Sequence, residues 1–260
     1  MLRKQWIHGG LFAEVLTSLS CMVLGAVLVT PRFAIAQGGV DADVHKALDN
    51  KKFANVNVSV RDANVVLTGS VARYSDKEDA DRRVHHVHGV KGVDNEIEVA
   101  GGEVSDDALR DKLAKALAYD RVGYGTTAFN SINIGVKNGV VTLSGTVYGP
   151  TDKDSAIGLV ENTPGVRDVV DNLEVAPVSP MDDQLRLRLA RVIYGDPTLQ
   201  KYAIDPAKPI RITVVNGNVT LTGVVDSKMD HDVAGIKANS VPGVFKVVNN
   251  LEVAGPEKGK

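Results

Sequence analysis

One short stretch recurs three times along this chain, and it constrains the fold more than any other feature. The copies occupy residues 65–71, 141–147 and 219–225, and each runs Val-x-Leu-[Thr/Ser]-Gly-x-Val. In every copy a second glycine follows 20 residues after the first, and a strand-closing valine follows after 30. Recurrence at fixed spacing is typical of tandem structural units. The 260 residues therefore predict three small domains in a row.

The same spacing predicts the domain boundaries. We expect a signal peptide over residues 1–36, domains over 37–100, 101–178 and 179–254, and a disordered tail over 255–260. Domains of this size bury only roughly 60% of the surface that their unfolded chains expose, so each should depend on its neighbours for stability.

The N-terminal segment has the three parts of a secretory signal. Arg3 and Lys4 supply a positive start, a largely apolar run covers residues 16–29, and residues 34–36 read Ala-Ile-Ala, the A-x-A cleavage pattern. We expect cleavage after Ala36 and export from the cytoplasm. A retained membrane anchor is the alternative.

The only cysteine, Cys21, lies within this segment. Ser18 stands three residues before it, where a lipoprotein signal has a leucine-like residue, so lipid attachment at Cys21 is the weaker interpretation. Cleavage would leave a mature chain without thiol or disulfide chemistry, and packing has to supply its stability.

Within each unit the hydrophobic pattern predicts the element order α-β-β-α-β. Leu109 and Leu113 illustrate the i, i+4 spacing of the first helix. Two alternating strands follow, joined at 138–139 and 216–217 by Asn-Gly, the pair that favours a type I′ hairpin. Residues 62–63 read Asp-Ala and predict a less regular turn in the first unit. The expected fold class is α+β, with three tandem units, each a three-stranded mixed sheet with two helices on one face.

Repeated glycines mark two structural positions in the unit. One falls inside the buried face of the second strand, where we expect it to make room for a helix lying on the sheet. These glycines are Gly69, Gly145 and Gly223. The other position follows the second helix, which it should end. It is held by Gly89, Gly165 and Gly243. In the first unit, Ser75 and Glu78 have the spacing of a capping box and predict the start of that helix.

With these motifs the unit resembles the BON domain, a module of bacterial envelope proteins related to osmotic stress and nodulation. The shared motifs are Leu-[Thr/Ser]-Gly in the second strand, Gly-Val after the second helix, and a closing segment with Asn, Ile or Leu, and Glu-Val. In the first unit they stand at 67–69, 89–90 and 95–99. The resemblance covers about residues 41–254. The second and third units depart from the short form of the family by longer segments at 118–131 and 194–209.

The resemblance implies a periplasmic or outer-membrane-associated protein without catalytic activity. It further implies contact with phospholipid surfaces and protection of the envelope under osmotic or other stress. The alternative is a periplasmic protein-interaction or assembly module that makes no direct contact with lipid.

Basic and aromatic residues gather in the third unit, around its first helix and the segment that follows. They are Arg186, Arg188, Arg191, Tyr194, Lys201 and Tyr202. Residues 179–260 hold 11 basic and 9 acidic residues, whereas acidic residues are in excess in the two earlier units. Arginines beside tyrosines suit contact with an anionic phospholipid membrane, and these six residues are the predicted lipid-binding set. An ordinary solvated helix with tyrosines packed against the inserted segment is the competing interpretation.

No pattern in the sequence points to other chemistry. The chain has no nucleophile elbow and no phosphate-binding glycine loop, and its net charge is −2. We therefore expect no enzyme activity, no cofactor, no bound nucleic acid and no small-molecule substrate. His85 and His88 could share a metal ion at helical spacing, but two imidazoles without a third ligand make a weak site, so a solvated helix surface is the favoured interpretation.

Overall fold

The computed structural model describes residues 34–100, 102, 104–120, 127–205 and 208–255. The predicted signal sequence up to residue 33 and the tail beyond residue 255 lie outside these described residues. The elements fall into three repeats, named repeat 1, repeat 2 and repeat 3 in chain order.

The three repeats share one element order. Repeat 1 comprises α1 (Ala34–Ala47), β1 (Val56–Arg61), β2 (Asn64–Val71), α2 (Tyr74–His85), β3 (Gly92–Asn95) and β4 (Glu98–Val99). Repeat 2 comprises α3 (Asp106–Tyr119), β5 (Ser131–Lys137), β6 (Val140–Val147), α4 (Pro150–Glu161) and β7 (Asp168–Val175). Repeat 3 comprises α5 (Pro180–Tyr194), β8 (Arg211–Val215), β9 (Asn218–Val225), α6 (Lys228–Asn239) and β10 (Lys246–Val253).

The recurrent stretch is the central strand of each sheet. It pairs antiparallel with the strand before it and parallel with the last strand, which in repeat 1 is interrupted into β3 and β4. In repeat 2, Leu143 stands opposite Ile134 on one side and Asp171 on the other. Both helices pack on the same face, so the predicted α+β fold of three mixed sheets is confirmed.

Each repeat has its own hydrophobic core between sheet and helices. The leucine of the recurrent stretch is fully buried in all three repeats, at Leu67, Leu143 and Leu221. The first helix covers it with its apolar face, for example Leu109 and Leu113 in repeat 2. The alternation of buried and accessible residues along the strands follows the period of two that the sequence shows.

The hairpin turns of repeats 2 and 3 are each held by a carboxylate from the first helix. Asn138 and Gly139 both have positive φ, as a type I′ turn requires. Their backbone N–H groups donate to the two oxygens of Asp106, at 2.7 and 2.9 Å. Asp182 accepts in the same way from the turn of repeat 3, at 2.8 and 2.9 Å. In both repeats a carboxylate in the first turn of the helix thereby fixes the hairpin on which that helix packs.

The strand glycines have a different role from the predicted one. Gly145 has a φ of +115°, and a Cβ there would collide with the backbone carbonyl oxygen of Ser131. Gly223 shows the same arrangement against Pro209. Because these glycines have no side chain, the backbone at the start of the first strand can approach them closely. The prediction that they make room for a helix is wrong. A side chain is excluded both by the left-handed conformation and by the carbonyl.

Two predictions about helix ends also differ from the structure. The second helix of repeat 1 begins at Tyr74 without a side-chain cap, so the capping box of Ser75 and Glu78 does not form. The later glycines do not end the helices directly. Helix α4, for example, ends at Glu161, and Gly165 lies four residues later in the turn to β7 with a φ of +101°.

The repeats are joined by side chains that cross between them. From repeat 1, Tyr74 packs against the core of repeat 2, and Ser75 Oγ donates to Asn162 Oδ1 at 2.9 Å. Burial raises the pKa of Tyr74. From repeat 2, Phe129 packs against the core of repeat 3, and a 2.9 Å hydrogen bond links the hydroxyls of Ser131 and Thr222.

Replacing Gly145 by valine should destabilise repeat 2 by more than about 2 kcal/mol, because left-handed backbone strain adds to the collision with Ser131. Far-UV circular dichroism during urea unfolding measures the loss. Gly158 lies within α4 with open space around its Cα, so Gly158→Ala serves as the control in the same repeat and should not destabilise it. Equal stability of Gly145→Val and the wild type would contradict the proposed close approach.

The hydrogen bonds from the hairpin turn to Asp106 predict that the free energy of unfolding depends on pH. Hydrogen bonds from Gly139 and Asn138 lower the pKa of the Asp106 carboxyl. A lowered folded-state pKa contributes stability that is complete above the unfolded value near 4 and is lost as pH falls through the folded value. The wild type should therefore exceed Asp106→Asn in unfolding free energy at pH 7, and the gap should shrink towards pH 3. A difference in unfolding free energy that does not change with pH would contradict a stabilising role for these hydrogen bonds.

Candidate functional site

The structure separates the six residues of the predicted lipid-binding set. Arg186 is buried, with only 2% of its surface exposed. Its guanidinium donates to Asp183 and to the backbone oxygen of Val214, and it stacks over the ring of Tyr148 from repeat 2 at 5.1 Å. Arg186 therefore joins repeats 2 and 3 and does not reach an outside surface, so its predicted role is wrong.

Three further residues of the predicted lipid-binding set make their contacts within repeat 3. Tyr202 is buried, and its hydroxyl donates to Asp230 at 2.7 Å and accepts from the backbone N–H of Asp226. Lys201 lies 2.8 Å from the carboxylate of Asp226 and 3.0 Å from that of Asp230, and hydrogen bonds with these two raise its pKa. The segment after α5 is thus tied to the start of α6, and the charge of Lys201 is balanced by these two carboxylates.

Tyr194 completes this internal group. Its hydroxyl donates to the backbone oxygen of Ile210 at 2.6 Å, and burial raises its pKa. Leu199, from the segment at 194–209, is fully buried in the core of repeat 3. The inserted segment therefore enlarges the core, as the competing interpretation of its tyrosines expected.

Arg188 and Arg191 remain on the outside of α5, where both are exposed. Met181 and Leu187 share their side of the helix, with 80% and 58% of their surfaces exposed. At 3.6 residues per turn these four side chains fall within about 120° of the helix circumference, opposite the buried row that contains Leu189. Two cations and two apolar side chains thus form one stripe.

Helix α6 extends this surface. It packs beside α5 on the same face of the sheet, and its exposed side carries Met229 and Ile236, at 64% and 67% exposure. We call these six side chains the outward face of repeat 3. They are Met181, Leu187, Arg188, Arg191, Met229 and Ile236.

The outward face has no counterpart in repeat 2. The positions 76 residues before Met181 and Leu187 hold Ser105 and Asp111. Lys112 and Lys115 occupy the positions of the two arginines and are exposed. Repeat 2 therefore keeps the cations but lacks the apolar partners. This difference provides a matched control within the same chain.

The four apolar members of the outward face were missed at the sequence level. Met181 and Leu187 lie off the row formed by Leu185, Leu189 and Ile193, which marks the core side of α5. Large apolar residues on the polar side of an amphipathic helix are the available signal.

Neither a metal site nor a membrane span is found among the described residues. In the part of the chain that the structure describes, no three side chains of His, Cys, Asp or Glu come together to hold a metal ion. His85 Nδ1 instead lies 3.1 Å from the carboxylate of Asp81. Within that same part, no helix combines the length and the apolar character that crossing a bilayer requires.

A known protein family matches the chain three times, once in each repeat. Residues 37–101, 105–177 and 182–255 each match the family model of the BON domain. Osmotically-inducible protein Y of Escherichia coli (strain K12) is 26% identical over 191 residues, which cover 72% of this chain and 92% of the relative.

Solved structures give a weaker likeness. The C-terminal domain of CdsD, the structural protein of the type III secretion system of Chlamydia trachomatis, is 14% identical over 82% of this chain and 96% of its own, with a TM-score of 0.25. A second CdsD structure is 17% identical, with a TM-score of 0.24. Scores this low carry no argument about function. The three family matches together span most of the sequence, and this chain belongs to the BON-domain family.

Proposed function

We propose that this chain is an exported periplasmic protein, without catalytic activity, that makes peripheral contact with anionic phospholipid and helps maintain the envelope under osmotic stress. The observation that carries the proposal is the outward face of repeat 3, where Arg188 and Arg191 lie beside exposed Met181 and Leu187. The name of the E. coli relative, Osmotically-inducible protein Y, supports the stress condition.

The chemistry of this face suits a membrane surface. Cations attract anionic headgroups, and the neighbouring apolar side chains can enter the headgroup layer between them. Each arginine near an anionic surface contributes about 1 kcal/mol, and partial insertion of Met181 and Leu187 adds roughly 2–3 kcal/mol. The sum corresponds to dissociation constants on the order of 0.1–1 mM, as expected for reversible peripheral binding.

A protein partner could use the same apolar side chains, as in the assembly-module alternative. That contact would depend on the concentration of a partner protein, and anionic lipid would leave it unchanged. The vesicle experiment below separates the two, because only a lipid surface binds the purified chain in the absence of other proteins.

Charge reversal on the outward face should abolish vesicle binding. We expect the mature protein to co-sediment with phosphatidylcholine vesicles increasingly as phosphatidylglycerol is added, and Arg188→Glu with Arg191→Glu to remove this binding. At about 1 M salt, where the screening length is roughly 3 Å, wild-type binding should also be lost. Arg186 is left intact because its replacement would disturb the contact between repeats 2 and 3.

The matched control reverses the two lysines at the same positions of repeat 2, Lys112→Glu with Lys115→Glu, and should bind vesicles as the wild type does. Equal loss in both double variants would show a general charge effect and reject the outward face. Absence of wild-type binding to anionic vesicles at low salt would reject lipid contact altogether and favour the assembly alternative.

Export makes a separate prediction about the N-terminus. If the A-x-A pattern at residues 34–36 directs cleavage, the protein recovered from the periplasm should begin at Gln37. N-terminal sequencing of the exported protein measures this directly. A periplasmic protein that still begins at Met1 would support the retained anchor instead.

A further inference from the structure

Repeats 2 and 3 form a cavity of about 130 Å³ where α3, β5 and α4 meet the start of β8. Apolar side chains of repeat 2, including Leu117, Ile132 and Ile134, make up part of its wall. Charged groups line the rest. Asp120 and Asp152 come from repeat 2, and Arg211 is the contribution of repeat 3.

The Arg211 side chain is half-buried on the face of β8 that points away from the core of repeat 3. Among the described residues its guanidinium has no hydrogen-bond partner and no carboxylate within 4.0 Å. Burial lowers the pKa of Arg211, and the nearby Tyr194 opposes this shift. A partly desolvated guanidinium without an anion is costly, so the site favours an anionic group from solution.

The two carboxylates are held in place by other contacts. Asp152 is buried, and its Oδ1 accepts from the amide of Asn130 at 3.1 Å. Asp120 Oδ2 accepts from the hydroxyl of Ser155 at 2.7 Å. Because neither carboxylate forms an ion pair with Arg211 in the described chain, charges of both signs face one cavity without neutralising each other.

We propose that this cavity binds a small zwitterion of the amino-acid or betaine class. Its carboxylate accepts hydrogen bonds from Arg211, its ammonium group lies against Asp120 and Asp152, and its aliphatic part packs on the apolar wall. A simple anion would meet the two aspartates, and a simple cation would meet the arginine. Only a molecule that carries both charges satisfies the whole lining.

The volume sets the size of the ligand. A dry cavity of roughly 150 Å³ in another protein holds benzene, which has six non-hydrogen atoms, so 130 Å³ encloses about five or six such atoms. Glycine betaine and proline each have eight, so part of either molecule would extend through the mouth of the cavity, which opens to solvent. Because the binding groups come from both repeats, an occupied site would also strengthen the contact between repeats 2 and 3.

Equilibrium dialysis of the mature protein against radiolabelled glycine betaine tests the proposal. Direct binding has to be measured, because such solutes also raise melting temperatures through exclusion from the protein surface. We expect saturable binding of one molecule per chain below about 10 mM. Unlabelled proline should compete, whereas acetate and tetramethylammonium should each compete at least about tenfold less well.

Variants assign the binding to the cavity. Arg211→Gln and Asp120→Asn should each weaken binding by about tenfold or more, while Arg61→Gln, at an exposed arginine of repeat 1, should leave it unchanged. Circular dichroism checks the fold of each variant. If Arg211→Gln does not fold, binding to Asp120→Asn provides the test. The proposal is overturned if no saturable binding occurs, if acetate competes as well as proline, or if the folded cavity variants bind as the wild type does.

Discussion

The pairing of the central strand on both of its edges is the constraint on which each repeat depends. In repeat 2, β6 joins β5 in an antiparallel hairpin and β7 in a parallel pair, and both helices pack against the sheet so formed. The hairpin can close only because Gly145 lets the backbone at Ser131 approach, and its turn is fixed by Asp106 at the start of α3. One strand thereby positions every other element of its repeat.

Much of this fold could be predicted from the sequence, because helix and strand periods and Asn-Gly turns are local signals. Details that depend on residues far apart in the sequence could not be predicted from it. The glycine lies on the same strand face as the buried leucine, as expected, but it is only half-buried. The group that approaches it, a carbonyl from another strand, leaves no mark beside it in the sequence. Ser75 has the spacing of a cap but bonds with Asn162 of the next repeat, a partner that only the packing of repeats brings near.

The predicted lipid-binding set shows the same limit. Arg186 lies seven residues before Ile193, so the helical period already placed it near the buried side of α5. Its burial nevertheless depends on Tyr148 of repeat 2. Arg110 holds the same helix position in repeat 2, pairs with Asp107 and Asp111, and stays exposed. An arginine at the same helix position is thus a solvated cation in one repeat and an interface residue in the next.

The stacking of Arg186 on Tyr148 has a consequence for how such a chain can change in evolution. Tandem genes usually gain or lose single copies of their repeated unit. Here deletion of repeat 2 would leave the guanidinium of Arg186 without the ring that covers it, and insertion of a copy between the two would separate the pair. The second and third copies should therefore be inherited together, as a two-unit module.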